Sequence, residues 1–183
     1  TGSGVGWEAV SASGGITHKS AGTNFTGSLI VGHDTTGTLD AAEYNTALGL
    51  TALDAITSGD DNVAIGHNAL TANTTGSDNV AIGSGAFAAN TTATQGVAIG
   101  YNALLANTTG IFNIGIGNVA LDANTTGANN TAVGAAALSS NTTADDNTAI
   151  GILSLFTNTT GADNTAVGSE ALEANTTASN NTA

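Results

Sequence analysis

From residue 45 onward, hydrophobic and polar positions along the chain recur with a strict period of seventeen. Each unit opens on a short alternating run, clearest in Asn62-Val63-Ala64-Ile65-Gly66 and Asn79-Val80-Ala81-Ile82-Gly83. The glycines stand at Gly49, Gly66, Gly83, Gly100, Gly117, Gly134, Gly151 and Gly168, with no insertion between copies. The residue before each is aliphatic: Leu48, Ile65, Ile82, Ile99, Ile116, Val133, Ile150 or Val167. Four residues after each comes Leu53, Leu70, Phe87, Leu104, Leu121, Leu138, Leu155 or Leu172. An alanine precedes that residue in every copy but one, where Ser154 stands. Asn-Thr-Thr follows, starting at Asn73, Asn90, Asn107, Asn124, Asn141, Asn158 and Asn175; the first copy has Ile56-Thr57-Ser58 instead. Full repeats occupy residues 45–180, and another begins at Asn181.

A unit this short does not accommodate the stacked helical hairpins of about 33 residues or more found in helical repeat proteins. It predicts one coil of a parallel β-solenoid, a β-roll or β-helix. The fold class is therefore all-β, with seventeen residues per coil, about eight coils and a degenerate N-terminal coil. The five-residue run reads as a strand with Val63 and Ile65 on one face and Ala64 on the other. Gly66 permits a corner that a Cβ would obstruct. Ala69-Leu70 reads as a second short strand or extended run. Asn73-Thr74-Thr75-Gly76 has turn chemistry, with Asn and Gly suited to the left-handed region. A helical reading of Ala-Leu-x-x-Asn fails because each run is too short to nucleate in water.

Stacking puts Ile65 over Ile82 and Leu70 over Phe87 at roughly 4.8 Å per layer, forming aliphatic columns that serve as the core. These columns and the glycines are the structural positions. The core is thin. Burying one Ile or Leu contributes roughly 1.5–3 kcal/mol, whereas ordering each residue costs about 1–2 kcal/mol. Inter-coil backbone bonds and stacked Asn and Thr side chains are expected to supply the balance. The opposite face, with Ala64, Ala81, Ala98, Gly115, Ala132, Ala149 and Ala166, either fills a narrow interior or lets another chain approach. Both alternatives favour an oligomer, a parallel homotrimer first. Eight coils would rise roughly 38 Å.

Residues 1–27 show no register and read as a cap or joining segment. Residues 28–44 read as the degenerate first coil, since Gly32 lies one period before Gly49. Residues 45–183 form the repeat solenoid. The array stops mid-motif, so either further chain or the next subunit, in a head-to-tail polymer, is expected to cover that end.

Composition narrows the function. The 183 residues include one strong cation, Lys19, against 14 Asp and Glu, a formal net charge of -13. Such a chain cannot neutralise a phosphate backbone, so nucleic-acid binding is excluded. A polybasic membrane anchor is excluded too. Without Cys there are no disulfides or thiolate metal sites. No apolar run reaches the roughly 18 residues of a membrane-inserted helix. Asp60, Asp61, Asp78, Asp145, Asp146 and Asp163 cluster before the strand asparagines, where carboxylates could hold Ca²⁺. The alternative is a solvated acidic stripe, in which a like pair costs only roughly 0.9 kcal/mol in water. Asn24, Asn73, Asn90, Asn107, Asn124, Asn129, Asn141, Asn158, Asn175 and Asn180 are N-glycosylation acceptors by pattern. The competing reading is turn and ladder chemistry, because sugars on every coil would crowd. Threonine files such as Thr74/Thr91/Thr108 and Thr75/Thr92/Thr109 suggest an ice-binding array. Adjacent residues on a strand, however, point to opposite faces. His18, His33 and His67 join no nucleophile or carboxylate pattern, so no catalytic site and no enzyme activity are expected.

The strand motifs Asn62-Val-Ala-Ile-Gly66 and Asn79-Val-Ala-Ile-Gly83 resemble those in heads of trimeric autotransporter adhesins, which are trimeric parallel β-rolls with a shorter repeat. A closer resemblance is to phage and bacterial tail-fibre-domain proteins. It rests on Asn130-Thr-Ala-Val-Gly134, Ala137-Leu138 and Asn141-Thr-Thr143, and again on the copy from Asn164. Residues 28–39 look like the lead-in to such arrays. The resemblance implies a rod in a phage tail fibre or bacterial surface fibril, located extracellularly, at a cell surface or on a virion. The alternative is an adhesin or receptor-binding module that grips a cell-surface glycan or protein through edge residues such as His67, Tyr101 and Glu170.

Overall fold

A computed structural model describes residues 18–19, 29–31 and 42–183. Ten short strands form one sheet in chain order. They are β1 (His18–Lys19), β2 (Leu29–Val31), β3 (Thr46–Leu48), β4 (Val63–Ile65), β5 (Val80–Ile82), β6 (Val97–Ile99), β7 (Ile114–Ile116), β8 (Thr131–Val133), β9 (Thr148–Ile150) and β10 (Thr165–Val167). From β2 to β10 every pairing is parallel, and each residue sits beside its equivalent in the next repeat, as in Ala47, Ala64 and Ala81. The chain is an all-β parallel solenoid, and no helix occurs among the described residues.

The strand expected in the degenerate coil is present: Leu29 pairs with Thr46 in the same parallel register. β1 runs antiparallel to β2 along the first edge of the sheet. The rest of segments 1–27 and 28–44, up to residue 41, lies outside the described residues, and His33 and Asn24 with it.

The interior is narrower than the aliphatic-column expectation allowed. In strands β3 to β10 it is the middle, small residue that is buried, as at Ala64, Ala81, Ala98, Ala132, Ala149 and Ala166. Ile65 is only half-buried, and Ile82 is 36% exposed. Ile65 and Ile82 do stack in file, but on the outside of the coil. The buried file is that of Leu70 and Phe87, with Ala69 and Ala86 beside it. So short a coil closes around too small a bore for two large side chains to enter from one strand. The small face therefore turns inward and the Val/Ile face outward.

The Ala69-Leu70 segment is a chain of tight turns, not a second strand. Leu70 sits in the left-handed region at φ 51, and its equivalents from Leu53 to Leu172 do the same. That conformation costs a non-glycine residue about 1–2 kcal/mol. Complete burial of the leucine side chain offsets it with roughly 1.5–3 kcal/mol. The turn is fixed on both sides: the Leu70 N–H donates to Ala86 O at 3.1 Å, and the Asn73 N–H donates to Leu70 O at 3.1 Å. The other left-handed corners lie at Asn68 and at Asp61 and Asp78, not within Asn73–Gly76. Asn73 shapes its turn with its side chain instead, Nδ2 donating to Gly76 O at 2.9 Å.

Two buried asparagine files run along the rod. In the first, the amide of each Asn links to the coil before: Asn62 Nδ2 donates to Asn45 Oδ1 at 3.0 Å, and Asn79 Nδ2 to Asn62 Oδ1 at 3.1 Å. In the second, Asn90 Nδ2 donates to Asn73 Oδ1 at 3.0 Å; Asn90 Oδ1 turns to the Ala93 N–H, and the file resumes with Asn124 on Asn107 and runs through Asn141, Asn158 and Asn175. Threonine hydroxyls add a third file, as in Thr74 Oγ1 to Thr91 O at 3.0 Å. Among the described residues no buried side-chain nitrogen or oxygen lacks a partner.

One coil breaks the rule twice and compensates. Gly96 stands where the first file needs asparagine, and Phe87 stands where the other coils have leucine. The two sites share one space: a Cβ on Gly96 would lie 2.6 Å from Phe87 Cζ. The Gly96 N–H still meets Asn79 Oδ1 at 2.9 Å, while Asn113 Nδ2 turns to Asn107 Oδ1 at 3.3 Å. Phe87→Leu alone should open a cavity, and Gly96→Asn alone should collide with the ring. The double variant Phe87→Leu/Gly96→Asn should restore the repeat. A denaturation cycle is expected to show favourable coupling of about 2 kcal/mol or more, at the upper part of the range for contacting residues; additive effects would contradict the shared-space account.

Candidate interaction surface

Because the coils close with alanine inside, eight successive strands, β3 to β10, present their larger residues outward. One file reads Thr46, Val63, Val80, Val97 and Ile114, then changes to Thr131, Thr148 and Thr165. The neighbouring file reads Leu48, Ile65, Ile82, Ile99 and Ile116, then Val133, Ile150 and Val167. None of these positions is charged. Ile82 is 36% exposed and Ile150 41%. A contiguous, partly exposed apolar face of this kind is a candidate interaction surface.

Two edges bound the face. Where the chain enters each strand, Asp61, Asp78, Asp146 and Asp163 are exposed, all in the left-handed region. At mid-length this edge turns apolar, with Ile111 and Phe112, the latter 47% exposed. Where the chain leaves each strand stand Leu50, His67, Ser84, Tyr101, Asn118, Ala135, Ile152 and Ser169, with no carboxylate among them. Tyr101 is 55% exposed. Tyr101 and Phe112 thus flank the face from opposite sides at the adjacent strands β6 and β7. Sequence reasoning singled out Tyr101 but missed Phe112; the available signal was an aromatic in a file that, apart from Tyr44 at its start, holds Asp, Gln and Asn.

The candidate calcium residues divide into two kinds. Asp60 and Asp145 already serve the backbone: their Oδ1 atoms accept the Glu43 and Ala128 N–H groups, both at 2.7 Å. Asp61, Asp78, Asp146 and Asp163 are solvent-exposed. No group of three or more His, Asp or Glu positioned for a metal occurs among the described residues. Asn73, Asn90, Asn107, Asn124, Asn141 and Asn158 are fully buried. Their Nδ2 atoms, the atoms a sugar would modify, donate to carbonyls inside the coil, as Asn124 does to Gly127 O at 2.9 Å. Asn175 is half-buried with the same bonding, while Asn129 and Asn180 are exposed. The Thr74 file spends its hydroxyls on the next coil, and the Thr75 file is exposed. His67 and Glu170 are exposed, and His18 lies on β1.

No family model, no curated protein and no solved structure matches the chain. No helix among the described residues is long and apolar enough to cross a membrane.

Proposed function

We propose that this chain is a structural segment of an extracellular fibre, such as a phage tail fibre or bacterial surface fibril, and that it self-assembles as a homo-oligomer, in the first place a trimer. The observation that carries this reading is the continuous ladder of backbone bonds between coils, as at Leu70 to Ala86. Asparagine and threonine files add to it over most of the rod, as at Asn90 to Asn73 and Thr74 to Thr91. Bending such a rod must stretch many hydrogen bonds at once, so the architecture transmits force and holds length. The acidic surface keeps rods soluble and apart. The resemblance of the repeat to tail-fibre-domain arrays supports the same reading. It requires no catalysis, cofactor or metal.

A second reading, an adhesin head, draws support from the exposure of Tyr101, two coils from His67 on the leaving edge, since an aromatic ring can stack on a sugar. Immunogold labelling of native particles or cells with an antibody to the repeat array separates the two. The fibre reading predicts gold along shafts. Gold confined to tips, with binding on a glycan array that Tyr101→Ala abolishes, would favour the adhesin; gold inside cells would overturn both.

A further inference from the structure

We infer that the outward Val/Ile face of β3–β10 is the surface on which copies of this chain associate, with the rods parallel and in register. The inference rests on the self-assembling reading above and specifies its surface and direction. Three features single out a second copy as the occupant. First, charge: with a net charge of -13, two copies repel over most of their surface, and this face carries no charged side chain. Second, repeat: the face is a lattice with one strand per coil, at about 4.8 Å. Side chains interdigitate along its whole length only with a partner of the same axial rise, which another copy has. Third, size: over eight layers the face runs roughly 38 Å along the rod, with Tyr101 and Phe112 exposed on its flanks.

Direction follows from the edges. When two sheets face each other and the rods are parallel, the facing strands run in opposite directions. The acidic entering edge of one copy then lies over the leaving edge of the next, where Glu170 is the one carboxylate, Asp61 towards His67 and Asp78 towards Ser84. Antiparallel rods make the facing strands run the same way and set the entering edge on itself, carboxylate towards carboxylate. The same offset of edges holds around a two-fold or a three-fold axis along the rod.

The chain has no cysteine, so single nitroxide labels can be placed at will. His67→Cys, Asn118→Cys and Ser169→Cys occupy one exposed file at three-coil intervals. Parallel, in-register assembly predicts the same label-to-label distance at all three sites by dipolar spectroscopy. Distances that differ between the sites would overturn the direction, because no antiparallel packing makes the three equal. The surface is tested with Ile99→Glu, whose side chain points out of the core and should leave the circular dichroism unchanged. Light scattering is expected to give a multimer for the parent chain and a single chain for Ile99→Glu. A multimeric Ile99→Glu, or a parent chain that stays monomeric at high micromolar concentration, would overturn the inference. The immunogold result above decides the fibre reading independently.

Discussion

Gly66→Ala is expected to destabilise the solenoid by about 3 kcal/mol or more. Gly66 sits at φ 134, a region that residues with a Cβ scarcely enter, and such strain costs of order 1–3 kcal/mol. The added methyl also has nowhere to go. It would stand 2.5 Å from Gly83 O and 2.6 Å from Gly83 C in the next coil, both backbone atoms held by the ladder. Relief requires the two coils to separate, which breaks inter-coil hydrogen bonds on that side. Denaturant unfolding measures the loss, and a Gly66→Ala variant as stable as the parent chain would contradict close coil stacking at the glycine file.

The second large effect concerns the buried amides. Asn130 Oδ1 accepts the Asn147 N–H at 3.1 Å and Asn147 Nδ2 at 3.3 Å, while Asn130 Nδ2 donates to Ala144 O at 2.8 Å. Asn130→Ala keeps the Ala144 carbonyl partnered through Asn141 and Asn147 Nδ2 on Asp145 O, but leaves the buried Asn147 N–H facing a void. At about 1–3 kcal/mol for an unsatisfied buried group, plus the lost Asn130 contacts, the loss should be about 2–3 kcal/mol, measured by denaturant unfolding. Asn130→Asp keeps the shape and changes the chemistry. Its carboxylate faces Asn113 Oδ1 and Ala144 O, two acceptors that Asn130 Nδ2 now serves. Burial and those oxygens would hold the new carboxyl protonated above the ordinary aspartate range. A group whose folded pKa is raised supports stability at low pH and loses it as pH rises through that value. Relative to the parent chain, Asn130→Asp is therefore expected to be closest to normal near pH 4 and most destabilised at pH 7. An effect independent of pH would contradict a buried ladder.

The sequence made the winding legible because a strict repeat leaves few ways to stack. Gly66 and Gly83, Asn62 and Asn79, and Leu70 and Phe87 each fall into file once the period is read as a coil. What the pattern left open was which way the strand faces. Alternation places Val63 and Ile65 opposite Ala64, but three residues do not say which side is inside. The bore of the coil decides, and it accepts Ala64 and Leu70 while turning Ile65 out. The usual assumption that the larger aliphatics fill the core fails for that reason. Leu70 escaped a local reading because left-handed leucine runs against propensity and is tolerated only where burial and inter-coil bonds hold it. The candidate surface was correspondingly half-visible. Tyr101 stood out as a variable edge residue, but its place beside an apolar face emerged only with the orientation of the strands. The acidic candidates could not be sorted from composition either, since Asp60 and Asp61 are neighbours with different roles, one bonded to the Glu43 N–H and one open to solvent.

Diffraction from crystals or oriented films of the purified chain tests the winding most directly. One coil per strand layer predicts a strong axial repeat of about 4.8 Å. The reflections of an α-helix, a rise of about 1.5 Å per residue and a pitch of about 5.4 Å, should be absent. Their presence, or diffuse scattering with no axial order at the strand spacing, would contradict the account.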